Sequence, residues 1–156
     1  MSKITSDGAR KKIAIIGHGA EKFPTLQSER AVQQLITELL VACVPGSILV
    51  SGHSPMGGVD IWAEEIAQSL DMMTEIKAPK DMAWNGPYGF KARNLDIVDV
   101  SDELHVIVAK EYPEGYRGRR FKACYHCRST THVKSGACWT AHQALKRGKL
   151  ATWHIL

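Results

Sequence analysis

The sequence predicts an α/β fold, one parallel sheet with helices on both faces. Three observations carry that expectation. Short apolar runs alternate with stretches of helical periodicity along the chain, the pattern of parallel strands joined by helical crossovers. Three strand-to-helix junctions are rich in Gly and Ser: Gly17-His18-Gly19, residues 51–58, and Ser135-Gly136. At 156 residues the chain fits one domain, 1–156, that buries about two-thirds of its unfolded surface. Right-handed crossovers wind such a chain into a doubly wound, Rossmann-like layer of about five strands.

The elements follow in order. Lys12-Ile13-Ala14-Ile15-Ile16 predicts a buried strand over 12–17. It ends in Gly-x-Gly, but the next glycine is Gly46, so a dinucleotide fingerprint is incomplete and a standard NAD site is not supported. A helix is predicted over 25–43, closed by Pro45-Gly46, and Cys43 reads as a small core residue on it. Ile48-Leu49-Val50 predicts a strand over 47–51. Val59, Trp62, Ala63, Ile66, Ala67 and Leu70 then recur at helical spacing and predict a helix over 58–70. A strand over 72–77, an irregular stretch over 78–89, a helix over about 90–100 and a strand over 103–109 come next. Asp99 and Asp102 oppose the dipole of that helix and have no evident role. Residues 110–135 form a segment longer than an ordinary βα connection. A helix over 137–147, ending in Lys146, Arg147 and Gly148, and a strand over 149–156 complete the chain. In that strand Trp153 and Ile155 alternate with polar positions and read as sheet core.

Composition is that of an ordinary globular chain, 44% hydrophobic and 23% charged. A net charge of +4 suits an anionic ligand without demanding nucleic acid. There is no run of about 18 apolar residues, so no membrane span is expected. Met1 to Lys12 is polar and lacks an apolar signal core, which predicts a short flexible lead-in and a cytoplasmic location.

The glycine loops set the functional expectation. Glycines let backbone N–H groups approach a ligand, and a helix N-terminus favours an anion. The 52–58 loop therefore reads as a phosphate cradle, though a plain βα turn also favours glycine. Three such loops converge at the carboxyl ends of parallel strands, where open α/β sheets bind ligands. The candidate backbone contacts are Gly17, Gly52, Gly57, Gly58 and Gly136, with Ser135 and His18 beside them. Arg93 and Thr140 are candidates for phosphate, since a guanidinium can hold two phosphate oxygens. Asp60 and Asn94 are candidates for sugar or base, while Asp60 also fits a helix-start carboxylate. Trp84, Pro87 and Tyr88 either cover a base by stacking or bury their own loop.

A second constellation is Cys124-x2-Cys127-x4-His132-x5-Cys138, close to a CCHC zinc knuckle whose last gap is one residue shorter. Tetrahedral zinc takes four N or S ligands, and a Cys-x2-Cys turn supplies two of them. Lys122, Arg128 and Lys134 favour the thiolates, and His126 competes with His132 as ligand. Four protein ligands leave no open position, so the expected zinc is structural, closing the 110–136 loop and fixing Ser135-Gly136 against the ligand. Tyr112, Tyr116, Phe121 and Tyr125 interleave with Arg117, Arg119, Arg120 and Arg128. That mixture fits single-stranded nucleic acid, or a solvated loop whose aromatics pack on the sheet.

The order of these pieces resembles the SLOG superfamily of Smf/DprA and Lonely-Guy proteins, and within it the small YspA-like members. The resemblance covers roughly 12–109 and 134–156. Ile15-Ile16-Gly17-His18 resembles the family's first glycine loop, and Val50-Ser51-Gly52 through Gly57-Gly58-Val59-Asp60, with Ala63, its Ser-Gly-Gly-Ala-x-Gly-x-Asp element. Lys91-Ala92-Arg93-Asn94 resembles its Arg-Asn pair, and Ser135-Gly136 with Thr140 its final Gly-Thr loop. Residues 141–149 look like the last helix of the DNA-processing branch. The resemblance implies a Rossmann-like fold that binds nucleotides or nucleotide-derived molecules, as a binding or sensing module or as an enzyme cleaving an N-glycosidic bond. It also implies a homo-oligomer. The Lonely-Guy enzymes carry a glutamate where this chain has Gln143, and Trp139 precedes Thr140 in place of Gly. Gln cannot ionise, which counts against the hydrolase. His53 stands where the family has a glycine, in a loop longer by a residue or two.

Overall fold

The computed structural model describes residues 10–156. The flexible lead-in expected at the N-terminus falls mostly on 1–9, outside the described residues. Five strands, β1 (Lys12–Gly17), β2 (Ile48–Ser51), β3 (Met73–Ile76), β4 (Glu103–Val108) and β5 (Leu150–Ile155), form one sheet in the order β3-β2-β1-β4-β5. All four pairings are parallel. Four α-helices connect them: α1 (Leu26–Val41), α2 (Val59–Ser69), α3 (Phe90–Val100) and α4 (Gly136–Lys146). A short 3-10 turn at Ala20–Lys22 went unread in the sequence. Among the described residues no helix is long and apolar enough to cross a membrane.

The alternation of β1 divides the core. Ile13 and Ile15 join Val32, Ile36 and Leu40 of α1 and Val59, Ala63 and Ala67 of α2 on one face. Ala14 and Ile16 join Ile97 and Val98 of α3 and Ala141 and Ala144 of α4 on the other. Period 2 in a strand meets period 3.6 in helices on both sides, which is the doubly wound arrangement. Each fully buried Ile or Leu contributes about 1.5–3 kcal/mol. Helix α1 starts at a capping box, in which Thr25 Oγ1 accepts from the Ser28 N–H at 3.0 Å and Ser28 Oγ accepts from the Thr25 N–H at 3.1 Å.

The acidic residues without an evident role prove to be fasteners. Asp102 Oδ2 accepts the Lys12 N–H at 2.7 Å while the Asp102 N–H donates to the Lys12 carbonyl at 2.8 Å, tying the starts of β1 and β4. Asp99 lies 3.8 Å from Arg147, and its carbonyl accepts from Lys149 at 3.0 Å. Ile155 departs from expectation. It is 40% exposed, because β5 is a sheet edge, whereas Trp153 packs against the α3–α4 core.

Sheet order reverses between β1 and β4, so the connections leave in opposite directions and open a crevice at their carboxyl ends. The glycines there serve chain-to-chain approach. A Cβ at Gly17 would collide with the Ile107 carbonyl oxygen of β4. One at Gly58, with φ +79°, would stand 2.5 Å from His18 O, Gly19 C and Ala20 N. Gly57 has φ +70° but only the Ala20 Cβ within reach, at 3.8 Å. Gly57→Ala is expected to cost about 1 kcal/mol, the left-handed backbone alone. Gly58→Ala adds a backbone collision and is expected to cost about 3 kcal/mol. Urea denaturation of both variants checks this, and equal losses would refute the collision argument.

Candidate functional site

The crevice is a cavity of about 340 Å³ at the carboxyl ends of β1 and β4. The first and third glycine-bearing loops meet there, with part of the second: Gly17 and His18, Ser54 and Asp60, and Ser135 with Gly136 all line it, as do Arg93 and Asn94. Trp84 and Phe90 add an aromatic wall, and Lys22 and Lys134 bring positive charge to it, with the Glu21 carboxylate also in the lining, 3.0 Å from Lys22 Nζ. A cavity of about 390 Å³ at the other end of the sheet is lined by Leu40, Val44, Leu70 and Met73 with Arg10. It brings together no buried charged groups, so chemistry favours the first.

Asp60 is the centre of the cavity's electrostatics. It is 4% exposed and sits in the first turn of α2. Oδ2 accepts the Ser54 N–H at 3.2 Å, and Oδ1 has no hydrogen-bond partner among the described residues. Burial raises its pKa from 3.8 to about 6, against the pull of the Arg93 guanidinium and of the Ser54 and Gly17 N–H groups, the Gly17 N–H lying near the carboxylate without reaching hydrogen-bond geometry at Oδ1. Arg93 is itself buried. Its Nε donates to Asn94 Oδ1 at 2.8 Å and its Nη1 to the Gly52 carbonyl. A Cβ at Gly52 would stand 2.6 Å from Arg93 Nη1 and 2.8 Å from Asp60 Oδ2. Gly52 thus makes room for both charged side chains and does not line the cavity.

Other candidates resolve differently. Gly57 and Gly58 lie off the cavity, shaping the turn into α2. Thr140 is fully buried and its hydroxyl donates to the Gly136 carbonyl at 3.3 Å, a helix back-bond away from the cavity. His18 lines the cavity with both ring nitrogens engaged. Nδ1 accepts the Ala109 N–H at 3.0 Å, so Nε2 carries the proton and donates to the Lys134 carbonyl at 2.9 Å. Burial lowers its pKa to about 4, which keeps the ring neutral at pH 7. Trp84 is 39% exposed and meets Trp139 edge-on, ring centroids 5.2 Å apart. Tyr88 is exposed and lies under Lys80 instead.

His53 holds a site that sequence reasoning missed. Its Nδ1–H donates to Glu64 at 2.9 Å, and the buried Glu64 also accepts from Ser51 Oγ at 2.6 Å. The backbone of His53 is left-handed, φ +47°, the conformation that a glycine at this position takes without strain. The carboxylate holds the imidazole there. Its signal was the spacing of Asp60 and Glu64, i and i+4 on one face of α2.

The second constellation closes as well. The ligand atoms of Cys124, Cys127, His132 and Cys138 all lie within 4.8 Å of one another, a group able to hold a metal ion. Ligands about 2.3 Å from a tetrahedral ion stand roughly 3.8 Å apart, so a small contraction completes the shell. The Cys-x2-Cys turn is locked by Cys124 and Ser129, which exchange backbone hydrogen bonds of 2.8 and 3.2 Å, with Arg128 left-handed at φ +53°. His132 Nε2 lies 3.5 Å from Cys138 Sγ, while its Nδ1 meets Thr131 Oγ1 at 2.9 Å, the partner that fixes a ligating ring. His126 stays outside the group and packs on Tyr125 at 4.4 Å. Two outer partners went unread. The Trp153 indole N–H points to Cys138 Sγ at 3.4 Å, and His142 Nε2 lies 3.4 Å from Cys127 Sγ, one helical turn past Cys138. Burial raises the Cys127 and Cys138 thiols, a cost that a bound cation offsets.

The aromatics of the inserted loop are already engaged by cations of this chain. Lys22 sits 4.7 Å over Tyr116, Arg120 lies 5.3 Å over Tyr112, and Lys134 lies 4.9 Å over Phe121 and 5.3 Å over Tyr125. Tyr112 also stacks on Tyr116 at 5.0 Å. Gln143 meets Arg147 at 3.5 Å, and it does not line the cavity.

No family model matches the chain, and no curated protein matches it.

Asp60 carries a stability consequence of definite sign. Its folded pKa lies above its unfolded value, so the site costs nothing while both states hold the proton. Stability is lost as pH rises from near 3.8 to about 6, by about 3 kcal/mol in all. Asp60→Asn is therefore expected to gain on the wild type across that window and to keep a constant lead above pH 7. Urea titrations at pH 4, 6 and 8 check it, and a lead independent of pH contradicts the assignment.

Proposed function

We propose that this protein binds a nucleotide or nucleotide-derived ligand in the cavity at the carboxyl ends of β1 and β4, as a binding or sensing module of the SLOG type. The observation that carries the reading is Asp60 Oδ1, a buried acceptor with no partner in a cavity that also holds a guanidinium. A fold retains such a costly group where a ligand supplies the missing donor. A sugar hydroxyl or a base amino group is such a donor.

The remaining lining fits the other parts of the ligand. Lys22, Lys134, Arg93 and the start of α4 favour a phosphate, and Trp84 with Phe90 offers a wall for a base. About 340 Å³ lies at the small end of ligand cavities and suits one mononucleotide-sized molecule. Three thiolates and an imidazole favour zinc over harder cations, and with four protein ligands its role is structural.

Native mass spectrometry of the purified protein tests both readings in one spectrum. Mass increments of one zinc ion and one nucleotide-like compound are expected. A bare polypeptide that also binds none of a panel of nucleoside mono- and diphosphates by calorimetry would sink the nucleotide reading. Trp84→Ala is expected to weaken a bound nucleoside monophosphate about tenfold and to leave inorganic phosphate unaffected. Affinity should also fall as pH drops below about 6, where Asp60 takes up a proton, loses its charge and presents a donor at its unpartnered oxygen, while Arg93 keeps its charge. A pH-independent affinity between 5 and 8 would remove Asp60 from the contact.

A further inference from the structure

We propose that the metal centre is the positioning element of the cavity, so that metal occupancy sets the affinity for the ligand. The proposal rests on the nucleotide reading above and adds a means of control to it.

The argument begins with chain order. Lys134, Ser135, Gly136 and Ala137 form one wall of the cavity, and they lie between His132 and Cys138, two members of the metal-binding group. The metal therefore grips the wall at both ends. The other two members, Cys124 and Cys127, sit in the core against α3 and α4, with Cys124 fully buried. A bound ion joins the ends of the wall to that core. Without it, the residues before the wall have no helix or strand to fix them, since the Cys124–Ser129 bridge is an isolated pairing. What then remains at the start of the wall is the Val133 N–H on the Ala109 carbonyl at 2.8 Å, the buried Val133 side chain, the Lys134 carbonyl on His18 at 2.9 Å, and the Lys134 ammonium over Phe121 and Tyr125, two residues of the same loop.

Opening the bracket returns conformational freedom to these residues, and a ligand must then remove it again on binding. Metal and ligand thus favour the same ordered wall. By linkage the factor by which zinc tightens the ligand equals the factor by which the ligand tightens zinc. The cysteines make the control chemically addressable, because oxidation or chelation removes the ion. Cys127 is the half-buried thiol of the three, Cys124 and Cys138 being fully buried.

The test uses the full chain, with zinc and 5′-AMP as probes. AMP affinity is measured by calorimetry on zinc-loaded and chelator-treated protein, and zinc affinity by competition with a chromophoric chelator, with and without AMP. A loss of tenfold or more on metal removal, matched by an equal gain in zinc affinity with AMP, is expected. Amide exchange gives a readout without ligand. The Val133 and Cys138 amides should exchange at least tenfold faster after chelation, while Ile15 of β1 keeps its protection. Cys127→Ser should reproduce the metal-free behaviour, and His132→Cys, which keeps four ligands, should retain the zinc-loaded one. Equal AMP affinity in both forms overturns the proposal. So does loss of protection at Ile15, which makes the metal a prop of the whole fold. If the zinc-loaded protein binds no AMP, the nucleotide reading fails on its own. Exchange at 133–138 then decides the positioning role, protection lost on chelation supporting it and protection kept overturning it.

Discussion

Four hydrogen bonds converge on His18, and the geometry of the carboxyl edge depends on them. Its backbone N–H donates to the Ile107 carbonyl at 3.2 Å, and its carbonyl accepts the Val59 N–H at 3.1 Å. Its ring accepts the Ala109 N–H and donates to the Lys134 carbonyl. One residue thus joins the end of β1 to the end of β4, the start of α2 and the wall before α4. The connections leaving β1 and β4 diverge at the reversal of strand order, and this residue ties both to the start of α2. Only a side chain with a donor and an acceptor on opposite edges can bridge two backbone segments in this way. Burial keeps the ring neutral, which preserves the acceptor nitrogen.

The same crowding explains the glycines. A parallel sheet brings the strand ends to a common edge, and the loops leaving them must pass within van der Waals distance of one another. Gly17 admits the Ile107 carbonyl, Gly58 admits the backbone of 18–20, and Gly52 admits the side chains of Arg93 and Asp60. In each case the missing Cβ makes room for a piece of this protein. A glycine that packs protein and a glycine that admits phosphate leave the same mark in a sequence. That ambiguity is why the meeting of the loops at one cavity was legible while the role of each glycine was not.

Legibility followed the range of the interaction. The α/β fold was readable because Ile13 to Ile16 and the helical spacings of α2 are local patterns, and each strand and helix lies within two residues of its expected bounds. The cysteine group was readable because three of its members crowd into one segment. Pairings such as Asp102 with Lys12, or Trp153 with Cys138, join residues far apart in the chain, and nothing local announces them. Thr140 misled for a related reason. In a loop its hydroxyl is free for phosphate, but one turn into α4 it returns to the Gly136 carbonyl. His53 shows the converse. A bulky side chain with left-handed backbone in a glycine-rich loop suggests a damaged loop, yet Glu64, itself held by Ser51, keeps that side chain in place.

Two features of the site oppose stability, and they are of different kinds. Asp60 keeps a buried charge with one oxygen unpaired, even though Arg93 stands nearby to offset it. The cysteine group collects three buried or half-buried sulfurs, and burial disfavours the thiolates of Cys127 and Cys138 until a cation arrives. Hydrophobic replacements at either place would remove the cost, as they do for many buried charges. A fold governed by stability alone has no use for both within reach of one wall. On the proposed reading each cost is relieved by something the polypeptide lacks, a donor in the first case and a metal in the second. The two deficits lie on either side of residues 133–137, so the segment that separates them is the place where their satisfaction meets.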